Sequence, residues 1–151
     1  MRTLALLLLM ATPATAQDLV YHNKATESCL ASAESFGAMH DCIGVASNAC
    51  MDQTEGGSST PVMGACLDRE RDYWDDRLNT VYGELRNSYA VHDEVSNALR
   101  DMQRAWISYR DTRCAYIGAQ WSGGTGMGPA TTGCMMVTTA EQTLLLEQQQ
   151  R

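Results

Sequence analysis

Proline is scarce in this chain: beyond residue 16 only Pro61 and Pro129 occur. Runs of β-branched residues are absent, which removes the pattern expected of strands. No apolar stretch approaches the roughly 20 residues that a membrane-spanning helix needs. Basic residues are outnumbered 11 to 18 by acidic ones. Nucleic acid and anionic lipid both demand a basic surface, so the balance argues against them as partners. There is no C-x-x-C, no H-E-x-x-H, no G-x-S-x-G and no G-x-x-x-x-G-K-[ST]. Thioredoxin-like redox, zinc-protease, serine-hydrolase and nucleotide chemistry therefore lack their usual signatures.

What is present begins with export. Met1-Arg2, a short apolar run over residues 4–11 and Ala14-Thr15-Ala16 have the order of a secretory signal peptide, cleaved before Gln17. The expected product is a secreted protein, periplasmic or extracellular, with no membrane span and, since no cysteine stands at the cleavage point, no lipid anchor. Without Arg2 the balance is 10 basic against 18 acidic, a net charge near -8. That suits a cationic partner, and it also simply keeps a protein soluble.

Ala, Leu, Met, Arg, Glu and Gln are plentiful, and all favour helix. Periodicity predicts helices over residues 24–35 and 39–52, with a stop at Ser35-Phe36-Gly37. Cys29, Ala33 and Phe36 would share a stripe on the first. Residues 54–61 (TEGGSSTP) are a loop. A long helix should follow from about residue 62 to 89, with Leu67, Trp74, Leu78, Val81, Tyr82, Leu85 and Tyr89 on its apolar stripe. Another should span residues 93–121, with Val95, Leu99, Met102, Trp106, Tyr109 and Ile117 repeating at helical spacing. After a glycine-rich connector over residues 122–129, a last helix should run from 131 or 133 to 147, burying Met136, Ala140, Leu144 and Leu145. The expected fold is an all-α, disulfide-stapled bundle of two long helices plus shorter ones.

Six cysteines in an exported chain read as three disulfides, for which 15 pairings exist. Cys42 and Cys50, eight residues apart on one helix, would be separated by about 12 Å of rise, beyond the ~7 Å reach of a disulfide. The sequential pairing Cys29–Cys42, Cys50–Cys66 and Cys114–Cys134 places each bridge at the base of a helical hairpin, around the turn and the two glycine-rich loops. It is the favoured scheme.

Several side-chain groups could carry chemistry. His40 and Cys42, with Met39 and Met51, resemble a soft copper site; oxidised cysteines and core methionines explain them more simply. His22 and His92 are expected in solvent. Asp68, Glu70, Asp72, Asp75 and Asp76 could contain an acid–base pair, but they interleave with Arg69, Arg71 and Arg77 and are placed at a helix start, where the dipole favours them. Trp106, Tyr109, Arg110 and Asp111 form the densest segment. Arg110 and Asp111, with Asp75 or Asn79 opposite, are expected to make a structural polar link between the two long helices. No cofactor or metal is expected.

Cys66, Asp75-Asp76-Arg77-Leu78-Asn79-x-x-Tyr82, Gln103-x-x-Trp106-x-x-Tyr109-Arg110-Asp111-x-x-Cys114, Gly123-Gly124 and Cys134 together resemble the LprI-like lysozyme-inhibitor family, over about residues 50–146. The resemblance implies an exported, all-helical bacterial domain with paired cysteines around the two loops, at least one member of which inhibits lysozyme. Four features depart from the pattern: Trp74 stands where a small residue is usual, Gln142 where an arginine is common, Cys29 and Cys42 form an additional pair, and the lipid-anchor cysteine of the lipoprotein member is missing. The chain then divides into a signal peptide (1–16), an N-terminal helical hairpin (17–49) and the LprI-like helical domain (50–151), packed as one unit.

The function expected is that of a non-enzymatic binding protein, with a protein partner for which a basic lysozyme-like hydrolase is the candidate. Lysozymes are mostly basic with an acid-lined cleft, so an acidic protein is steered toward them. Trp121, Gly123, Gly124 and Thr125 form the candidate contact loop, with Trp121 either as an aromatic anchor or as a cap on the bundle end. The alternatives are a structural or stress-related envelope module with another partner, and an enzyme, which would need a deep pocket with perturbed carboxylates.

Overall fold

The computed structural model describes residues 18–150. The signal-peptide reading of residues 1–16 lies outside them. Among the described residues there are six helices and no strand: α1 (Lys24–Ser32), α2 (Phe36–His40), α3 (Val45–Gln53), α4 (Thr60–Ser88), α5 (Asp93–Ala119) and α6 (Met127–Gln148). The protein is an all-α, disulfide-stapled bundle. Its bridges are Cys29–Cys42, Cys50–Cys66 and Cys114–Cys134, with Cα–Cα distances of 5.6, 5.7 and 5.4 Å.

The long helices number three rather than two. α6 begins at Met127, several residues before the expected start, and has 22 residues. Gly128 and Pro129 belong to its first turn, where a proline is tolerated because the leading amides have no intrahelical acceptor. Pro61 has the same role at the start of α4. α6 lies between α4 and α5 and is buried on several sides. Met136, Ala140, Leu144 and Leu146 line it together with Thr138, Thr139, Gln142 and Thr143. The side chains of Thr138, Gln142 and Thr143 are hydrogen-bonded. Thr143 donates to the Thr139 carbonyl (2.8 Å) and the Trp74 carbonyl (3.2 Å), and Gln142 donates to the Gln103 amide oxygen (3.0 Å). Leu145, expected inside, is 45% exposed, and Leu146 takes its place. Arg77 on α4 is tied bidentately to Glu147 at the far end of α6.

The N-terminal region differs more. The helix expected over residues 39–52 is broken: α2 ends at His40, and Gly44 adopts the left-handed region (φ 92°) before α3 begins. Cys42 and Cys50 thus lie on different segments. The pairing holds although the intact helix used to prune it does not. Phe36 starts α2 instead of extending α1, and is 40% exposed.

In the loop between α3 and α4, the Gly57 amide donates to the Thr54 carbonyl (3.0 Å). A Cβ on Gly57 would collide with the Met51 carbonyl, which is backbone and cannot step aside. Gly57→Ala is therefore expected to cost more than about 1 kcal/mol, read as a lower urea midpoint with the disulfides intact. An unchanged midpoint would contradict this packing.

Candidate functional site

The α5–α6 hairpin carries the loop singled out from sequence. α5 is held against α6 by the Cys114–Cys134 bridge and, one turn on, by Gly118, where a Cβ would strike the Thr131 hydroxyl. Glycine lets the two helices approach closely here; a larger residue would have to displace the Thr131 hydroxyl from its bond to the Met127 carbonyl (2.9 Å). Beyond it the chain reverses through Ser122 (φ 49°) and Gly123 (φ 78°), consecutive left-handed residues. Backbone hydrogen bonds close the reversal: Trp121 N–H to the Gly118 carbonyl (3.1 Å), Gly124 N–H to the Trp121 carbonyl (2.8 Å) and Met127 N–H to the Gly124 carbonyl (3.0 Å). The connector is thus a built turn rather than a slack linker.

Residues 121–125 are all exposed. Trp121 leans on Gly126, where any Cβ would enter its ring, and keeps 52% of its surface in solvent. One face of the indole is fixed by the turn and the other is free. Such a group loses little rotamer entropy on contact, which makes an effective interface anchor.

The residues proposed as a polar link sit beside this hairpin. Arg110 lies over the Trp106 ring with its guanidinium carbon 4.9 Å from the centroid. It is held by its neighbour Asp111 (Nε–Oδ1 3.0 Å), and its approach to Asp75 on α4 is 4.0 Å, at the limit of an ion pair. Asn79 donates to Asp75 within α4 (3.1 Å). Asp75 and Asp111 are half exposed, whereas the Arg110 side chain is mostly covered. A closer link between α5 and α6 is Arg113, which donates to the Thr138 hydroxyl.

The acidic cluster separates into two environments. α4 starts at Thr60, so residues 68–76 lie beyond its first turn, and the helix-dipole explanation does not hold for them. Asp68 and Asp72 flank Arg71 in solvent, at 2.6 and 2.8 Å. Glu70 is fully buried. Its Oε1 accepts from the Thr26 hydroxyl (2.9 Å), the Gly44 amide (3.0 Å) and the Trp74 indole N–H (3.3 Å), and its Oε2 accepts from the Ser47 amide (2.6 Å). Gly44 has no side chain to cap α3, so a carboxylate from α4 does so instead. An anion is well placed at a helix N-terminus. Sequence reasoning missed this role. The signal available was a helix opening on glycine without a capping side chain, together with Glu70 and Trp74 at i, i+4.

Near this hub, burial pushes the Tyr21 phenol above its ordinary value, and the Glu70 charge adds to the effect. Tyr21 therefore stays neutral. His40, the imagined copper ligand, meets Glu141 at 3.2 Å, and Cys42 is oxidised. His22 and His92 are exposed.

The family described as lysozyme inhibitor LprI matches residues 50–146. An uncharacterised protein of Rhizobium meliloti (strain 1021) is 30% identical over 94 residues, which is 55% of this chain and 68% of that protein. No solved structure matches the chain. The matched span contains α4, α5, most of α6 and two of the three disulfides, and the exposed Trp121 turn falls within it. With most of its length covered, this chain belongs to the LprI lysozyme-inhibitor family.

Proposed function

We propose that the protein works outside the cytoplasm as a non-enzymatic inhibitor of a lysozyme-type hydrolase, with the turn at residues 121–125 as its contact element. Membership of a family described by lysozyme inhibition carries the reading. Three disulfides fit an oxidising compartment. The turn supports the choice of surface: a preorganised loop with one half-exposed tryptophan can enter a cleft at small entropic cost. The net charge of -7 favours encounter with a basic enzyme.

The direct experiment is lysis of cell walls by lysozymes of several classes, with and without the purified oxidised protein. Inhibition that weakens as salt rises is expected, because steering between exposed charges is screened. Trp121→Ala should weaken inhibition by about tenfold or more, the loss typical of an aromatic anchor, while leaving the helical content unchanged. Absence of inhibition at micromolar excess for every class would reject the function. Full inhibition by Trp121→Ala would reject the surface alone.

A further inference from the structure

α5 packs along one side, against α6 and, through Leu99 and Trp106, against the cluster that includes Leu78, Val81 and Leu85 of α4. Along the edge of that contact Val95, Met102, Tyr109 and Tyr116 follow one another at seven-residue spacing; they are 44, 39, 59 and 66% exposed, and the Met102 sulfur also accepts from the Gln142 amide of α6 (3.4 Å). Three residues after each stands a small one: Ala98, Ala105, Thr112 and Ala119, all exposed. This is a heptad seam with large residues at one core position and small residues at the other, sustained over a helix of 27 residues. Isolated exposed apolar residues need no explanation, but a continuous stripe of them does.

The charges of α5 are also divided. About a midpoint at residue 107, its N-terminal half holds Asp93, Glu94 and Asp101 against Arg100 and Arg104; its C-terminal half holds Arg110 and Arg113 against Asp111, and Asp101 faces Arg113 across an antiparallel pair. The first half is net negative and the second net positive. A second copy of this helix laid antiparallel would set each half against its opposite, whereas a parallel copy would superimpose like charges.

We infer that this face of α5 is a self-association surface, on which a second copy of the chain docks antiparallel about a two-fold axis. The side chains have the sizes this arrangement requires. With the axis passing near residue 107, Val95 lies opposite Ala119 of the second copy, Ala98 opposite Tyr116, Met102 opposite Thr112, and Ala105 opposite Tyr109. Every layer pairs a large residue with a small one, so the helices can approach at the short end of the 8–10 Å range. The strict seven-residue repeat winds such a pair left-handedly. A two-fold interface uses the same patch on both copies, so no further partner surface is needed. The two Trp121 turns, at the C-terminal ends of the α5 helices, then point to opposite ends of the dimer. This inference does not rest on the lysozyme reading.

Sedimentation equilibrium of the oxidised protein over a range of concentrations is the test. A monomer–dimer equilibrium is expected. Ala105→Arg, which puts a charge into the central layer without touching the protein's own core, should weaken it by about tenfold or more, while the helical content and the three disulfides are retained. A photoreactive phenylalanine analogue at position 109 should crosslink to the second copy around Ala105. Wild-type protein that stays monomeric up to about 1 mM, where even a weak interface would be populated, overturns the inference. So does an Ala105→Arg protein that dimerises like wild type, or a set of crosslinks from position 109 that never reaches the segment around Ala105 of a second copy.

Discussion

Replacing Glu70 by glutamine is expected to lower the unfolding free energy by about 3 kcal/mol or more, the largest effect of any change that preserves side-chain size. The carboxylate is an acceptor for four donors in a fully buried site. An amide keeps the shape but turns one acceptor oxygen into an NH2 group facing N–H and O–H donors. Donors left without an acceptor in a buried site cost about 1–3 kcal/mol each, and hydrogen bonds to a charged acceptor are the stronger kind. The first segment to suffer would be the start of α3, whose Gly44 and Ser47 amides have no other cap. The Ala46 amide would follow, because Thr26, its acceptor (3.2 Å), is itself held by Glu70. Urea unfolding with the disulfides intact measures the effect. A midpoint for Glu70→Gln that matches wild type would contradict the hub.

The same residue shows how far the sequence could be read. The bundle class, the three bridges and the α4 stripe were legible because each rests on a local signal: helical periodicity, or glycine-rich bends midway between cysteines. Trp74, Leu78, Val81 and Leu85 are all buried as their spacing predicts. Glu70 was not legible, because its meaning depends on amides 23 and 26 residues away. The break at Gly44 was hidden for the same reason, since Cys42, Val45, Ala46 and Ala49 keep helical spacing across it and the carboxylate that stabilises the break is remote.

α5 exposes a different limit. Val95, Leu99, Met102, Trp106 and Tyr109 fit one period, yet they form two stripes. Leu99 and Trp106 pack on the cluster around Leu78 and Leu146, whereas Val95 and Tyr109 are largely exposed and Met102 sits at the edge, touching Gln142. Periodicity reports that a helix has an apolar side, and cannot report which part of it a neighbour covers. α6 failed in the opposite sense. Its buried threonines and Gln142 break the apolar period of a helix that is nevertheless central. The Trp121 turn was found by composition, but its rigidity depends on where the ring lies, over Gly126.

Truncating Trp74 to alanine should cost about 3–5 kcal/mol, the range for removing a large buried aromatic. That is a large part of the 5–15 kcal/mol that holds a domain together. Trp74 is fully buried against Met136, Ala140 and Leu144 of α6, with Leu30, Met39 and Ile43 of the N-terminal segments packed on the same cluster. It is therefore shared by the part of the chain inside the family match and the part before it. Removing it opens a cavity between the two and also takes an N–H donor from Glu70. Trp74→Phe keeps one aromatic ring in place and loses the indole donor with a smaller cavity, for an expected cost of about 1–3 kcal/mol, below that of alanine. If residues 24–53 and α4–α6 unfold as one unit, both variants should show a single transition, and amide exchange should quicken across α1, α3, α4 and α6 together. Faster exchange confined to residues 24–53, with α4 and α6 protected as in wild type, would instead show two separately folding parts. Glu70 and Trp74 argue for one, since together they join α1, α3 and α4 through hydrogen bonds and α2 and α6 through packing.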